Sequence, residues 1–128
     1  AKAVNLDPRA QLPRLRQALL ALRRGDAASA VSTLTELVER NPGYLPAWRN
    51  LVVALARAGD TPEAKRTLRQ ALGRFPEDPL LWTQDAILLR QEGRLEEALA
   101  SIRRARALAP EDATLATRET QLLAEMGR

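Results

Sequence analysis

Glycine and proline recur in this chain at a fixed interval of 34 residues. Gly25, Gly59, Gly93 and Gly127 stand in one phase, and Pro8, Pro42, Pro76 and Pro110 in another. These are four of the six glycines and four of the eight prolines, too many for chance placement. Both residue types restrict or free the backbone in specific ways, so their repetition implies one local geometry used several times. A period of this size marks a solenoid built from a single supersecondary unit. At 128 residues the chain has the length of one ordinary globular domain. A solenoid instead spreads its burial over contacts between neighbouring repeats and has no central core.

The unit is clearest between Leu45 and Pro76, which reads LPAWRNLVVALARAGDTPEAKRTLRQALGRFP. Trp48, Leu51, Val52 and Leu55 fall at i, i+3, i+4 and i+7, one apolar stripe of a helix. Ala64, Leu68 and Ala71 give a second stripe. Between them, Gly59 supplies the left-handed residue that ends the first helix, and Thr61-Pro62-Glu63 opens the second. Neither helix can bury its stripe alone, so the two are expected to form an antiparallel pair. One period on, Ala64 maps to Ala30 and Ala98, and Trp48 maps to Trp82.

Trp48, Leu51, Leu55, Ala64, Leu68 and Pro76 follow the pattern W-x2-L-G-x2-Y, then A-x3-F, then P. In this the chain resembles the tetratricopeptide repeat family, with Val52, Leu55 and Leu68 replacing the usual small residue, Tyr and Phe. The resemblance implies an all-α fold, a right-handed α-solenoid of antiparallel helix pairs, that binds other proteins and performs no reaction.

Aligned by the period, residues 1–10 match the last turns of a second helix, as of a piece cut from a longer array. Three complete repeats follow, 11–44, 45–78 and 79–112. In the first, one helix is expected over Leu12–Arg24 and the next up to Arg40, with Asp26 as its N-cap. In the third, Asp78 caps, Pro79 takes the first helical position, and Glu92-Gly93-Arg94 makes the turn. Residues 113–128 form one more first helix, capped by Asp112. Ala116 and Glu119 stand there in place of Trp48 and Leu51, as in a capping helix with a polar outer face. Gly127-Arg128, however, copies Gly93-Arg94, which leads into another helix. Both possibilities are open at the level of sequence.

There is no cysteine and no histidine, which removes thiol catalysis, most zinc sites and the usual general base. Nucleophilic catalysis would fall to Ser29, Ser32 or Ser101, which lie on helices with no Gly-rich turn to expose them. Glu96-Glu97 and Glu111-Asp112 are paired acids, but they sit at helix starts, where carboxylates complement the dipole. No catalytic, cofactor or metal residue is therefore assigned. No apolar run approaches the roughly 18 residues of a membrane span, and no signal peptide is visible, so a cytoplasmic location is expected. The basic residues are 18 Arg and two Lys, which hints at a GC-rich bacterial gene.

Helical geometry sets repeat positions 2, 6, 9 and 13 of each first helix roughly opposite its buried positions 4, 8 and 11. In the first repeat this row is Leu12, Arg16, Leu19 and Arg23. In the second it is Pro46, Asn50, Val53 and Arg57, flanked by Arg49; in the third it is Leu80, Gln84, Ile87 and Gln91, flanked by Arg90. The last helix continues with Thr114, Arg118, Gln121 and Glu125. The resemblance implies that this row lines a concave groove. Arg16, Leu19, Arg23, Arg49, Asn50, Val53, Arg57, Gln84, Ile87 and Arg90 are then the expected contacts for an acidic, partly apolar peptide or partner helix. Arginine suits that task, because its planar fork pairs with carboxylates while its stem covers apolar surface. Arginines that merely solvate a helix face would leave the same pattern.

The family's two-carboxylate clamp is absent in its known form. Asn50 matches, but Leu15, Leu19, Leu80 and Gln84 occupy the positions of the other clamp residues. A net charge of +4 also raises nucleic acid as a partner, yet no exposed aromatic set is expected for stacking bases, so this is disfavoured. Trp48 and Trp82 are expected to be wedges between helices. Asp85, standing where the second repeat has Leu51, is expected to hydrogen-bond or pair with a nearby Arg. The rival architectural reading is head-to-tail self-association through the open repeat ends, where Leu12, Leu15 and Leu22 lack a preceding helix pair.

Overall fold

The computed structural model describes residues 8–127, and their regular structure is entirely α-helical. The helices are α1 (Pro8–Arg23), α2 (Ala27–Arg40), α3 (Leu45–Arg57), α4 (Thr61–Arg74), α5 (Pro79–Gln91), α6 (Leu95–Leu108) and α7 (Ala113–Glu125). They form two compact units, α1–α4 and α5–α7, divided after Arg74. Within each unit every helix packs on the next in sequence, and α1 also touches α3. This is the antiparallel hairpin pattern expected of the repeat. The odd-numbered helices are called A helices below, the even-numbered ones B helices.

The turns within hairpins are built alike. Gly25, Gly59 and Gly93 have φ of +81°, +84° and +77°, a region open to glycine but costly for other residues. Each closes a Schellman-type cap: Asp26 N donates to Ala21 O (2.8 Å), Asp60 N to Leu55 O (2.9 Å) and Arg94 N to Leu89 O (3.0 Å). Asp26 and Asp60 then cap the next helix, their carboxylates accepting from Ser29 N (3.2 Å) and Glu63 N (3.3 Å). Arg94 breaks the pattern. It makes no N-cap and instead forks onto Glu97, Nε to Oε1 at 2.8 Å and Nη2 to Oε2 at 2.6 Å.

Glycine thus plays two roles that substitution separates. Gly59→Ala should lower the unfolding free energy by about 1–2 kcal/mol, because its left-handed φ disfavours any Cβ. Gly73 lies in α4 with φ in the ordinary range and open space around it. There Ala should raise stability by about 0.5 kcal/mol. Urea denaturation of the two variants should move the midpoint in opposite directions.

The turns between hairpins are held by indoles. Trp48 Nε1 donates to Pro42 O (2.8 Å), and Trp82 Nε1 donates to Pro76 O (2.7 Å). The phased proline therefore supplies a carbonyl that the next A helix grips. Trp48 is buried; Trp82 is half-buried, with the Arg104 guanidinium 5.7 Å from its ring centroid.

Fully buried alanines let the helices approach, and branched side chains fill the space between them. In the first unit Ala18, Ala30, Ala47, Ala54, Ala64 and Ala71 alternate with Leu34, Leu37, Val52 and Leu68. In the second, Ala86, Ala98, Leu99, Ile102, Ala105, Leu115 and Leu122 form the core.

Two expectations need correction. Helix α1 includes residues 8–10, ahead of the expected start at Leu12, although the period aligned them with the end of a preceding helix. Residues 1–7, the rest of that segment, lie outside the described residues. Asp85 does make an interhelical bond, but to a serine: Ser101 Oγ on α6 donates to Asp85 Oδ2 at 2.5 Å.

Candidate functional site

The A helices of the first unit are unusual in charge. Between them α1 and α3 carry Arg9, Arg14, Arg16, Arg23, Arg49 and Arg57, and neither contains a single Asp or Glu. Among the described residues the acids of this unit sit instead on α2 and α4 and in the turns. Arg14 is drawn off to α2, where it pairs with Glu36.

On the outer row of α1, Leu12, Arg16 and Arg23 are exposed and Leu19 is half-buried. On α3, which lies against α1, Arg57 is exposed while Pro46, Arg49, Asn50 and Val53 are half-buried. Arg16, Arg23 and Arg57 have no ion-pair partner among the described residues. The Asn50 side-chain amide is partly committed within its own helix, donating to Pro46 O at 2.8 Å. The row therefore combines free guanidiniums with half-covered aliphatic side chains.

The second unit is arranged differently. Gln84 and Ile87 are half-buried on α5, and Arg90 is exposed. Arg90 is engaged, however: its Nε donates to Glu125 Oε1 of α7 at 2.6 Å. Beside this bridge lies a small cavity of about 100 Å³. Ala86, Ile102 and Leu122 are buried there, Ile87 is half-buried, and Arg118, Gln121 and the Arg90–Glu125 pair complete its lining. Leu80 is 48% exposed on α5, at the repeat position that Leu12, 39% exposed, takes on α1.

Arg118, Gln121 and Glu125 stood in the row of the last helix but not among the expected contacts. A signal for them existed, since Arg90 and Glu125 are opposite charges 35 residues apart, one period plus one. A further concavity, of about 740 Å³, opens in the first unit between α2 and α4. Trp48, Leu51 and Leu55 lie at its base, with Glu39, Asp60, Glu63 and Arg74 among its lining. Sequence reasoning, which treated those apolar residues purely as core, did not anticipate it.

Ser29, Ser101 and Glu97, among the residues considered for catalysis, have structural partners. Ser29 Oγ donates to Asp26 Oδ2 at 2.6 Å, and with the Ser29 backbone N–H it holds that carboxyl below its usual range. Ser101 is bound to Asp85, and Glu97 to Arg94. Among the described residues no group of three or more His, Cys, Asp or Glu is placed to hold a metal, and no helix is long and apolar enough to cross a membrane.

Comparison with known proteins agrees with the fold. The family model described as tetratricopeptide repeat matches residues 21–84. The type III secretion chaperone SycD of Yersinia enterocolitica, solved with a peptide of the translocator YopD, superposes with a TM-score of 0.84 at 18% identity, over 96% of this chain and 96% of that one. The first such domain of Spaghetti (RPAP3), bound to the HSP90 peptide SRMEEVD, gives 0.85 at 15% identity, over 96% and 100%. The protein TTC0263 of Thermus thermophilus gives 0.71 at 32% identity, covering 79% of this chain and 52% of that one. The chain spans 65% and 18% of two other matched chains, from Desulfovibrio magneticus RS-1 MamA and a Naa15/Naa10 complex. Among curated protein sequences none matches.

Proposed function

Since this chain belongs to the tetratricopeptide repeat family, we propose that it is a non-catalytic interaction module that holds an acidic, partly apolar peptide or partner helix on its A helices. The family fold is in general one that binds proteins rather than transforming substrates. The observation that carries the acidic preference is the charge of α1 and α3, six arginines with no carboxylate on either helix. A ligand carboxylate meeting Arg16, Arg23 or Arg57 displaces no ion-pair partner among the described residues, so none of those pairs opposes its binding. Leu12, Leu19 and Val53 offer apolar contact between those cations. Two structural neighbours carry bound peptides, and one of these, SRMEEVD, is itself acidic.

The test is a titration of acidic peptides by fluorescence anisotropy, with the double variant Arg16→Glu/Arg57→Glu. Both side chains are exposed, so folding should survive, which circular dichroism verifies. Affinity should fall at least about tenfold, and the dependence on salt should become shallower. An unchanged affinity for every acidic peptide that binds would remove these helices from the binding surface.

A further inference from the structure

We propose that the cavity between α5 and α7 is a specificity pocket for one aliphatic side chain of an acidic peptide, and that Glu125 is a built-in competitor of that ligand. The proposal rests on the reading above and narrows it to a defined ligand pattern.

The size of the pocket selects the side chain. A dry cavity of roughly 150 Å³ accepts a benzene ring. The present cavity is about 100 Å³, so it suits a branched aliphatic group and is small for an aromatic one. Its apolar lining, Ala86, Ile87, Ile102 and Leu122, offers no hydrogen bond to a polar group.

The rim selects what lies next to that side chain. Arg118 lines the pocket and has no ion-pair partner among the described residues. It is free to take a carboxylate one residue away from the inserted group. Gln121, exposed at the same rim, can serve the peptide backbone as donor and acceptor.

The Arg90–Glu125 bridge borders the pocket. It joins α5 to α7 at the pocket through one 2.6 Å bond, with side chains 56% and 37% exposed. Exposed pairs of this kind are weak because water competes for both partners. Glu125 is the only acid on the outer rows of α5 and α7. It presents to Arg90 the same group that an acidic ligand would bring. A second ligand carboxylate can therefore exchange with Glu125, and while Glu125 holds Arg90 it repels the approaching peptide. Removing this native carboxylate should strengthen binding, whereas removing Arg118 should weaken it.

The experiment uses the whole chain and the peptide acetyl-Glu-Glu-Leu-Glu-Glu-amide, with Ala and Phe versions at the central position. Affinity is measured by titration, and methyl NMR follows Ile87, Ile102 and Leu122. The Leu peptide should shift these methyls and bind about tenfold more tightly than the Ala and Phe peptides. Arg118→Gln should cost about tenfold, and Glu125→Gln should gain about threefold. Equal binding of the Leu and Ala peptides with silent methyls would overturn the pocket, and so would weaker binding by Glu125→Gln. If acidic peptides bind and respond to Arg16→Glu/Arg57→Glu while these methyls stay silent, the pocket falls and the wider function stands. If no acidic peptide binds, both fall.

Discussion

Trp48→Ala is expected to lower the unfolding free energy by about 3–5 kcal/mol, the range for deleting a large buried ring. The indole is 6% exposed, and Leu51, Val52 and Leu55 on the same helix are all 5% exposed or less. Two losses combine in the variant. The ring leaves a cavity at the base of α3, and the Pro42 carbonyl loses the 2.8 Å bond that ties the α2–α3 turn down. Trp48→Phe separates them, since it keeps most of the apolar volume and deletes only the donor. It should cost about 1–2 kcal/mol. Trp82 makes the equivalent bond but is half-exposed, so Trp82→Ala should cost less than Trp48→Ala. Urea denaturation followed by circular dichroism measures all three. Equal costs for the two alanine variants would contradict the difference in burial on which the argument rests.

Glu119 carries the second large expectation. It stands on α7 where the second repeat has Leu51, and α6 provides two guanidiniums for it. Arg106 Nη1 donates to Oε1 at 2.7 Å and Arg103 Nε to Oε2 at 3.0 Å. The carboxylate side chain is only 13% exposed, while the arginines are 43% and 57% exposed, so solvent screens one side of the pair. The hydrogen bonds from Arg106 and then Arg103 pull the Glu119 carboxyl below the usual range, against the upward push of burial. A depressed folded pKa means that the unfolded chain binds the proton more readily. The stabilisation is therefore complete above the unfolded value, about 4.3. It disappears as pH falls through the lower folded value. Glu119→Gln should cost about 2 kcal/mol at pH 7. The gap between variant and parent should close in acid. A gap that persists at pH 2 would show that packing, rather than charge, sets the contribution of this residue.

Much of the helical order could be read directly from the residues. The turns at Gly25, Gly59 and Gly93, and the caps at Asp26, Asp78 and Asp112, depend on a few adjacent backbone groups, so residue type alone reports them. The role of Trp48 was legible in outline, because a large ring at a repeated position serves as a wedge. Its bond to Pro42 O was not, although the Pro-x5-Trp spacing that recurs at Pro76 and Trp82 contains it.

The candidate site was legible only as a row of positions. Helical periodicity places Arg16, Arg57 and Arg90 on the outer side of their helices, and local spacing is enough for that. Whether such a guanidinium is available is a different question, decided by what stands opposite it. Arg90 is held by Glu125, 35 residues away, and Asp85 by Ser101, 16 residues away. These pairings depend on separations of about 3 Å between side chains of different helices. A 34-residue period brings equivalent helices together without setting distances that fine.

The sequence by itself therefore determined the repeating helical hairpin, since its punctuation is written in local φ preferences and caps. Tertiary structure alone decided which charges are spent internally, which remain free, and that a small apolar cavity opens beside Arg118. The physical reason is range: backbone conformation answers to near neighbours, whereas charge pairing and cavities answer to packing.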